Sequence, residues 1–262
     1  MISVTSGRRV RSLVAGVLLL SSGAASAAPV DAVGYADYWL WGGLPSPSGI
    51  LEQARSLYFL QGEIRQARRD PGRIDLIAQG VSLPQRLPCD VWLVYRANTL
   101  LWPRSVTDTI LARLDRWRHA GNRVVGLQID FDASTRGLSN YVAALRALRA
   151  VLPRSYRLSV TGLLDWVRNG DTEAISALPS IVDEVVLQTY QGRSTIPNYA
   201  DYLLHLSRLQ VPYKIGLVQS GEWKKVPAIE ESSWFRGYVV FLLPPKGQSP
   251  AKRAGALGPQ EP

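Results

Sequence analysis

The sequence predicts an α/β fold, a single (β/α)8 TIM barrel with an insertion after its second strand. Segments with strand-like and helix-like patterns alternate along the chain, which is typical of parallel βαβ units. Eight of these segments have the length of a strand, the number that closes such a barrel. In the segment 123–134 an apolar run ends in two carboxylates one residue apart, as expected where a buried strand opens into a pocket.

The alternative α/β architecture is an open, doubly wound sheet. That fold would place a glycine-rich phosphate-binding turn after the first strand, and Gly42-Gly43 does not match its fingerprint. The barrel therefore remains the prediction, with its functional face at the carboxyl ends of the strands.

The first predicted strand is aromatic, and the second is polar towards its end. The first, 33–41, is rich in aromatic residues and ends at two glycines, and a helix over 49–55 follows. The second, 56–64, is apolar early and polar late, so that Gln61 and Glu63 share one face near its end.

An insertion is predicted over 65–88, because these residues are basic and punctuated by Pro and Gly. It contains one short strand at 73–78. The third barrel strand, 90–96, precedes a helix over 105–119, whose apolar residues recur at helical spacing and which ends at Gly121.

The fourth strand is polar on one face only. Side chains alternate along a strand, so Val124, Gly126, Gln128, Asp130 and Asp132 are predicted to share one side. The opposite face is wholly apolar, with Val125, Leu127, Ile129 and Phe131. The two aspartates could instead open a loop and cap the next helix, but a cap needs no polar residue two positions deeper.

The rest of the chain continues the alternation. A helix over 138–151 stops at Pro153, and further helices are predicted over 172–178 and 199–209. The remaining strands are 156–166, 184–191, 213–218 and 237–243.

The first 27 residues have the pattern of a secretory signal peptide. Three arginines precede the apolar run 13–20, and small residues including Ala25-Ser26-Ala27 follow, as at a signal cleavage site. We expect a signal at 1–27, a barrel at 28–243 and a disordered tail at 244–262. The protein is predicted to be periplasmic or secreted, because no later segment has the roughly 20 apolar residues of a transmembrane helix.

Composition narrows the possible functions. The formal charge of +9 falls to +6 without the three arginines of the predicted signal. This excess suits anionic partners such as acidic polysaccharide, phospholipid headgroups or nucleic acid, but a solvated basic surface explains it better. The basic residues are not interleaved with aromatics, so no nucleic-acid partner is expected. One cysteine, Cys89, allows no internal disulfide, and two histidines do not support a metal site. No cofactor is expected.

In a barrel, the carboxyl ends of the strands would bring acids, amides and aromatic side chains to one mouth, with Asp37 among them. The candidate catalytic residues are Asp130, Asp132, Asp165 and Glu63. The candidate substrate-binding residues are Gln128, Gln188, Tyr190, Trp39, Trp41, Arg96, Trp166 and Glu222. Carboxylates supply acid and base, amides bind hydroxyls and aromatic faces stack on sugar rings, so the set predicts a polysaccharide or oligosaccharide ligand. Each aromatic residue taken alone is equally explained by core packing.

Two motifs carry a family resemblance. G-L-Q-I-D-F-D at 126–132 and Q-T-Y at 188–190 resemble the fourth and sixth strands of the family 18 glycoside hydrolases, the chitinase-type barrels. Over 37–243 the chain is similar to the bacterial family catalogued as domain of unknown function 3142, with L-S-V-T-G-L-L-D-W at 158–166 as the second shared motif. That family is grouped with barrel glycosidases, which implies a glycosidase-like barrel here.

The resemblance to chitinases is incomplete at the catalytic motif, D-x-x-D-x-D-x-E, whose last glutamate is the general acid of a substrate-assisted mechanism. With Asp130 and Asp132 on its second and third acids, Leu127 stands at the first acid and Ser134 at the glutamate. Serine cannot protonate a glycosidic oxygen, so that mechanism does not transfer unchanged.

Two functional hypotheses remain. The first is an exported glycoside hydrolase-like enzyme, with Asp130 or Asp132 as nucleophile or electrostatic stabiliser and Asp165 or Glu63 as acid/base; Glu222 is a further candidate for the acid. Close carboxylates shift each other's pKa, so that one can stay protonated near neutrality. The second is a carbohydrate-binding pseudoenzyme of the cell envelope, which the missing glutamate favours.

Overall fold

The computed structural model describes residues 27–42, 49–82, 86–133 and 137–243. Ser134, the predicted tail and the predicted signal peptide apart from Ala27 lie outside these residues. Within them, no helix is both long enough and apolar enough to cross a membrane.

Eight parallel strands close into a barrel, which confirms the predicted fold class. In chain order they are β1 (Asp37–Leu40), β2 (Ser56–Ala67), β3 (Asp90–Ala97), β4 (Arg123–Asp130), β5 (Arg157–Leu163), β6 (Glu184–Gln188), β7 (Tyr213–Val218) and β8 (Phe235–Leu242). Each strand pairs in parallel with the next, and β1 pairs with both β2 and β8. The barrel itself therefore has no free edge.

Helices cover much of the outside of the barrel. They are α1 (Ile50–Gln53), α2 (Arg104–His119), α3 (Leu138–Val151), α4 (Asp165–Asn169), α5 (Thr172–Ala177), α6 (Tyr199–Leu203) and α7 (Pro227–Glu230). The two long helices bury one apolar stripe each, including Ile110, Leu114 and Trp117 in α2. Such stripes hold the helices against the strands through the hydrophobic effect.

The predicted insertion is a β-hairpin. Strand β2 continues to Ala67, beyond its predicted end, and the strand Asp70–Ala78 folds back antiparallel on it. Among the described residues between β2 and β3 there is no helix. The hairpin extends one side of the barrel wall past the rim.

Several boundaries differ from the predicted ones. Residues Ala32–Gly34 form a 3-10 turn, with the Asp31 carboxylate accepting a hydrogen bond from the Val33 amide at 3.1 Å. Strand β1 consequently begins only at Asp37, which lies at the amino end of the barrel and not at the rim where we expected it. The predicted sixth strand stops at Gln188, and Tyr190–Gln191 pairs with Ser194–Thr195 in a short hairpin beside the mouth.

A β-bulge changes the facing of the first residues in β4. Val91 pairs with Val124, but Trp92 pairs with Gly126, so Val125 is an extra residue relative to β3. Val125 packs against the cluster inside the barrel and Val124 joins the outer core. The predicted facing of these two residues is therefore reversed, whereas the bulge leaves Gly126 and the polar residues after it on the inner side.

The inside of the barrel is filled mainly by large aromatic side chains. Trp39, Tyr58 and Trp92 form its apolar cluster with three valines. Two glycines give these rings room: a Cβ on Gly126 would lie 2.8 Å from the Trp92 ring, and one on Gly216 would lie 2.7 Å from the Trp39 ring. The lower part of the barrel is consequently a packed core and not a channel.

A buried ion network closes the amino end of the barrel. Lys214 Nζ lies 3.0 Å from the Asp37 carboxylate and 3.3 Å from that of Glu184, and it donates a hydrogen bond to the Tyr58 hydroxyl at 2.9 Å. Arg55 donates two further hydrogen bonds to Asp37, at 3.0 and 2.7 Å. Charges can be buried here because each has a partner of opposite sign.

Candidate functional site

A cavity of about 670 Å³ opens at the carboxyl ends of the strands. We call it the rim cavity. Its lining includes seven of the predicted site residues: Trp41, Arg96, Asp130, Asp132, Asp165, Gln188 and Tyr190. They come from the ends of β1, β3, β4, β5 and β6 or from the residues just after them, as expected where parallel strands meet at one mouth.

Asp130 is the most buried carboxyl group in this lining. It is the last residue of β4 and is 4 % exposed, and its Oδ1 accepts a hydrogen bond from Thr161 Oγ1 at 2.8 Å. The pKa of Asp130 is raised to about 6, chiefly by burial. The Thr161 hydrogen bond and the Arg96 charge lower this pKa, and the Asp132 charge raises it. A carboxyl group with this pKa keeps part of its proton close to neutral pH.

Asp132 lies at the outer part of the cavity, two residues beyond β4. Its side chain is 63 % exposed, and its Oδ2 is 3.7 Å from the Arg96 guanidinium. Arg96 also lies over the Trp41 ring, with its central carbon 5.6 Å from the ring centroid. The three side chains therefore form one contact group on the β1 and β3 side of the cavity.

Asp165 and Gln188 reach the cavity from β5 and β6. Asp165 is the first residue of α4, immediately after the turn that follows β5, and Gln188 is the last residue of β6. The sequence pattern had placed Asp165 at the end of a longer strand. Its position at a helix start nevertheless keeps the carboxyl group at the same mouth.

Aromatic rings form one wall of the cavity. Tyr190 stacks on Phe241 with ring centroids 5.7 Å apart and planes 6° apart, and Trp41 meets Phe241 edge-on at 5.3 Å. Burial raises the pKa of the Tyr190 phenol well above its usual value, with Asp130 and Asp132 adding to the effect, so the ring stays neutral. Phe241 and Tyr202, which also line the cavity, were missed by the sequence reasoning. For Phe241 a signal existed, since it stands near the end of a predicted strand.

Gln128 and Trp39 lie below the cavity, inside the barrel. Trp39 Nε1 donates to Gln128 Oε1 at 2.6 Å, and Gln128 Nε2 donates to Ser159 Oγ at 2.9 Å. Both residues are nearly or fully buried. Trp39 contacts Tyr190 edge-on at 6.4 Å, so this pair supports the cavity floor and does not face a ligand.

The remaining three candidates lie elsewhere. Trp166 is 1 % exposed, with its indole donating to the Ala133 carbonyl at 2.8 Å. Glu63 accepts a hydrogen bond from Gln79, at the base of the hairpin, and Glu222 is exposed in a two-residue strand that pairs with Ala28–Pro29. The strand patterns could not reveal these positions, because they depend on where each strand ends and how the loops fold.

Among the described residues, no group of three or more His, Cys, Asp or Glu side chains is placed to hold a metal ion. The rim cavity itself brings carboxyl groups next to an aromatic wall, an arrangement that can support acid–base chemistry on a bound ligand.

Three solved structures resemble this fold at low sequence identity. The Bacillus cereus spore cortex-lytic enzyme SleL is 16 % identical, with a TM-score of 0.45, over 70 % of this chain and 50 % of its own, so the chain spans about half of SleL. The chitinase domain of the Clostridium difficile spore coat protein CotE is 14 % identical, with a TM-score of 0.46, over 79 % of this chain and 70 % of its own. The xylanase and α-amylase inhibitor protein XAIP-I, in complex with trehalose, is 11 % identical, with a TM-score of 0.50, over 79 % and 92 %. This last similarity supports the glycosidase-like barrel fold alone.

A family model gives the more direct assignment. A comparison with curated proteins finds no significant match, but residues 99–201 match the model of the family described as Domain of unknown function (DUF3142). This range includes β4, β5 and β6 and five of the predicted site residues that line the cavity, among them Asp130 and Asp165. The match confirms the resemblance seen in the motifs, because residues 99–201 contain both G-L-Q-I-D-F-D at 126–132 and L-S-V-T-G-L-L-D-W at 158–166.

Proposed function

We propose that this protein is an exported glycoside hydrolase-like enzyme that binds a polysaccharide in the rim cavity and cleaves it with the carboxyl groups there. The observation that carries the proposal is the state of Asp130, a buried carboxyl group that lines an aromatic-walled cavity and has a pKa of about 6. A general acid for glycoside cleavage needs such a raised pKa.

Asp130 is assigned the role of general acid. At a pH near 6 about half of its molecules hold a proton, which can pass to the glycosidic oxygen as the bond to the leaving sugar breaks. The hydrogen bond from Thr161 fixes the orientation of the carboxyl group. This assignment replaces the glutamate that the chitinase motif would place at position 134.

Asp132 and Asp165 are the candidates for the second carboxylate, which acts as nucleophile or activates water. Both line the same cavity as Asp130. Asp132 also lies 3.7 Å from the Arg96 guanidinium. A second carboxylate about 5 Å from Asp130 would give retention of the anomeric configuration, and one at about 6.5–9.5 Å would give inversion.

The aromatic wall and Gln188 supply the binding surface. The rings of Trp41, Tyr190 and Phe241 present apolar faces or edges to the cavity, which suits the C–H faces of pyranose rings, and the Gln188 amide can bind hydroxyl groups. The sequence pattern of residues 1–27 supports export to the periplasm or the medium, where polysaccharides occur.

The test is hydrolysis of a panel of polysaccharides by the mature protein, from Ala28 onward, followed as release of reducing ends. We expect Asp130→Asn to lower the rate by about 10²- to 10⁴-fold, the usual contribution of a general acid. Wild-type activity should fall as the pH rises above about 6. Asp108→Asn is the matched control, since Asp108 is an exposed aspartate on α2 that pairs with Arg104 outside the cavity. Full activity of Asp130→Asn would rule out this role.

The alternative is a carbohydrate-binding pseudoenzyme. Two observations favour it: Ser134 stands where chitinases have the acid, and Asp132 is exposed and held only by a loose ion pair. It predicts that glycan is retained by the wild type and by Asp132→Asn, with no turnover by either protein. Hydrolysis that disappears in a folded Asp132→Asn variant would reject the pseudoenzyme.

A further inference from the structure

We infer that the glycan bound in the rim cavity is acidic, and that Arg96 binds its carboxylate or sulfate groups. The inference rests on the proposed function in one respect: it takes the rim cavity as the glycan site. It adds the substrate class and a residue that determines specificity.

Among the described residues, Arg96 stacks on an aromatic ring but its guanidinium has no hydrogen-bond acceptor. Its guanidinium lies over Trp41 at 5.6 Å, which restrains the orientation of the planar group. The nearest Asp132 oxygen is 3.7 Å away, beyond hydrogen-bond distance. Arg96 lines the cavity, and within the part of the chain that the structure describes its guanidinium donates no hydrogen bond to a protein acceptor.

Other arginines of this chain show what a structural role looks like. Arg149 donates to the carbonyl oxygens of three residues, and Arg208 donates to two carbonyls and to the Thr172 hydroxyl. Arg55 donates twice to the Asp37 carboxylate. Arg96 differs from them because it lines a cavity with its donors free. A free, oriented guanidinium suits bidentate binding of a carboxylate or sulfate.

The Asp132 carboxylate does not block such a ligand. Both partners of the Arg96–Asp132 pair are about half exposed or more, and ion pairs of this kind contribute little free energy. A ligand anion can therefore join or replace Asp132 at the guanidinium. Asp165 lies after β5, whereas Arg96 and Trp41 belong to the β3 and β1 side, so an acidic substituent can lie at Arg96 while another part of the glycan reaches Asp130 and Asp165.

A second arginine is placed in a similar way beyond β5. Arg168 lies 5.8 Å over the ring of Tyr202, and Tyr202 lines the cavity. Each of these two arginines lies over the ring of a residue that lines the cavity, but of the two only Arg96 lines the cavity itself. The formal charge of +6, without the three arginines of the predicted signal, adds a favourable field for a polyanion over a longer range.

The experiment measures binding, so that it does not depend on turnover. Calorimetry would give the dissociation constants of the mature protein for four polymers. Alginate carries carboxylates, dextran sulfate carries sulfates, dextran is neutral and chitosan is cationic. We expect preferential binding of an acidic polymer, weakened by added salt. Tighter binding of alginate would identify the carboxylate as the preferred group, and tighter binding of dextran sulfate would identify the sulfate.

Variants then assign the preference to Arg96. Arg96→Gln should weaken binding of the preferred acidic polymer by about tenfold or more, and Arg96→Lys should recover part of it, because the charge returns without the planar fork. Arg104→Gln is the matched control, since Arg104 has a 3.7 Å ion pair with Asp108 on α2 and does not line the cavity. It should change the affinity by less than about twofold.

The results separate this inference from the proposed function. Unchanged affinity of Arg96→Gln, preference for dextran or chitosan, or no binding of either acidic polymer would overturn the inference. Hydrolysis of a neutral polymer that depends on Asp130 would keep the proposed function while rejecting an acidic substrate. Arg96-dependent binding of an acidic polymer without turnover would keep the inference and reject hydrolysis.

Discussion

Burial of the Asp130 carboxyl group favours its proposed role as an acid but lowers the stability of the fold at neutral pH. It keeps a proton available near pH 6, and it makes the ionised form unfavourable in the folded protein. Because the pKa is higher in the folded state than the ordinary aspartate value of 3.8, this group stabilises the fold fully only below pH 3.8. Its contribution is lost as the pH rises through about 6.

Asp130→Asn should therefore make the protein less sensitive to rising pH. A rise from 3.8 to about 6 corresponds to roughly 3 kcal/mol, so the free energy of unfolding of the wild type should fall by about that much, relative to the variant, between pH 4 and pH 8. Urea unfolding at a series of pH values measures the difference. Asp108→Asn should keep the wild-type dependence, and parallel curves for wild type and Asp130→Asn would contradict the expected penalty.

Thr161 shows how a neighbouring side chain tunes this balance. Its hydroxyl donates to Asp130 and favours the ionised carboxylate. The sequence alone does not show that Thr161 lies next to Asp130. Their proximity follows from the register of β4 and β5, in which Gln128 pairs with Ser159. The motif therefore predicts the acid but not the hydroxyl group that lowers its pKa.

Strands β3, β4 and β5 pack closely around Gly126, where a larger residue would not fit. A Cβ on Gly126 would lie 2.1 Å from the Arg157 carbonyl oxygen in β5 and 2.8 Å from the Trp92 ring in β3. Neither a backbone carbonyl nor a ring packed inside the barrel can move away easily. The glycine therefore permits the close approach of three neighbouring strands.

Gly126→Ala should destabilise the protein by about 3 kcal/mol or more, the upper part of the range for overpacked cores. Gly34→Ala provides the control, since a Cβ there meets no atom within 4 Å and should change the stability by less than about 0.5 kcal/mol. The measurement is the midpoint of urea denaturation for each of the two variants. Equal midpoints would show that β4 and β5 can separate without cost.

The sequence predicted the strands better than their ends. Apolar runs and alternation located all eight strands and the two long helices, because burial of apolar faces determines them. The bulge at Val125 could not be predicted, since it depends on the register between β3 and β4. The same limit applies to the site: Asp130 and Gln188 follow from strand ends, whereas the burial of Trp166 depends on how α4 packs against α3, where it meets Tyr141.

Across the barrel, Lys214 connects strands that are distant in sequence. It lies between Asp37 of β1 and Glu184 of β6, and its side chain is only 8 % exposed. Ser159 and Tyr58 donate to the Glu184 carboxylate as well. Removal of the lysine would leave Glu184 with neutral donors only and Asp37 with Arg55 as its remaining cation.

Lys214→Met should cost about 3–5 kcal/mol of unfolding free energy, as expected when a buried charge loses its partner. The double variant Lys214→Met/Glu184→Gln should recover part of this loss, because it removes the uncompensated carboxylate. Lys225→Met is the control for an exposed lysine, paired with Glu230 at 3.4 Å, and should cost at most about 1 kcal/mol. If urea unfolding at pH 7 gave similar losses of unfolding free energy for Lys214→Met and Lys225→Met, the buried ion network would contribute little to stability.

Closure of the barrel between β1 and β8 affects the rate and the order of folding. Tyr38 pairs with Val240, about two hundred positions later in the chain, and contacts of such long range form slowly. During synthesis β1 is made first and β8, one of its two neighbours, is made last. One edge of β1 therefore stays unpaired until almost the entire barrel has been synthesised. Asp37 likewise meets Lys214 only late. An incomplete chain that ends before β8 has open edges on β1 and β7, which favour pairing with other chains.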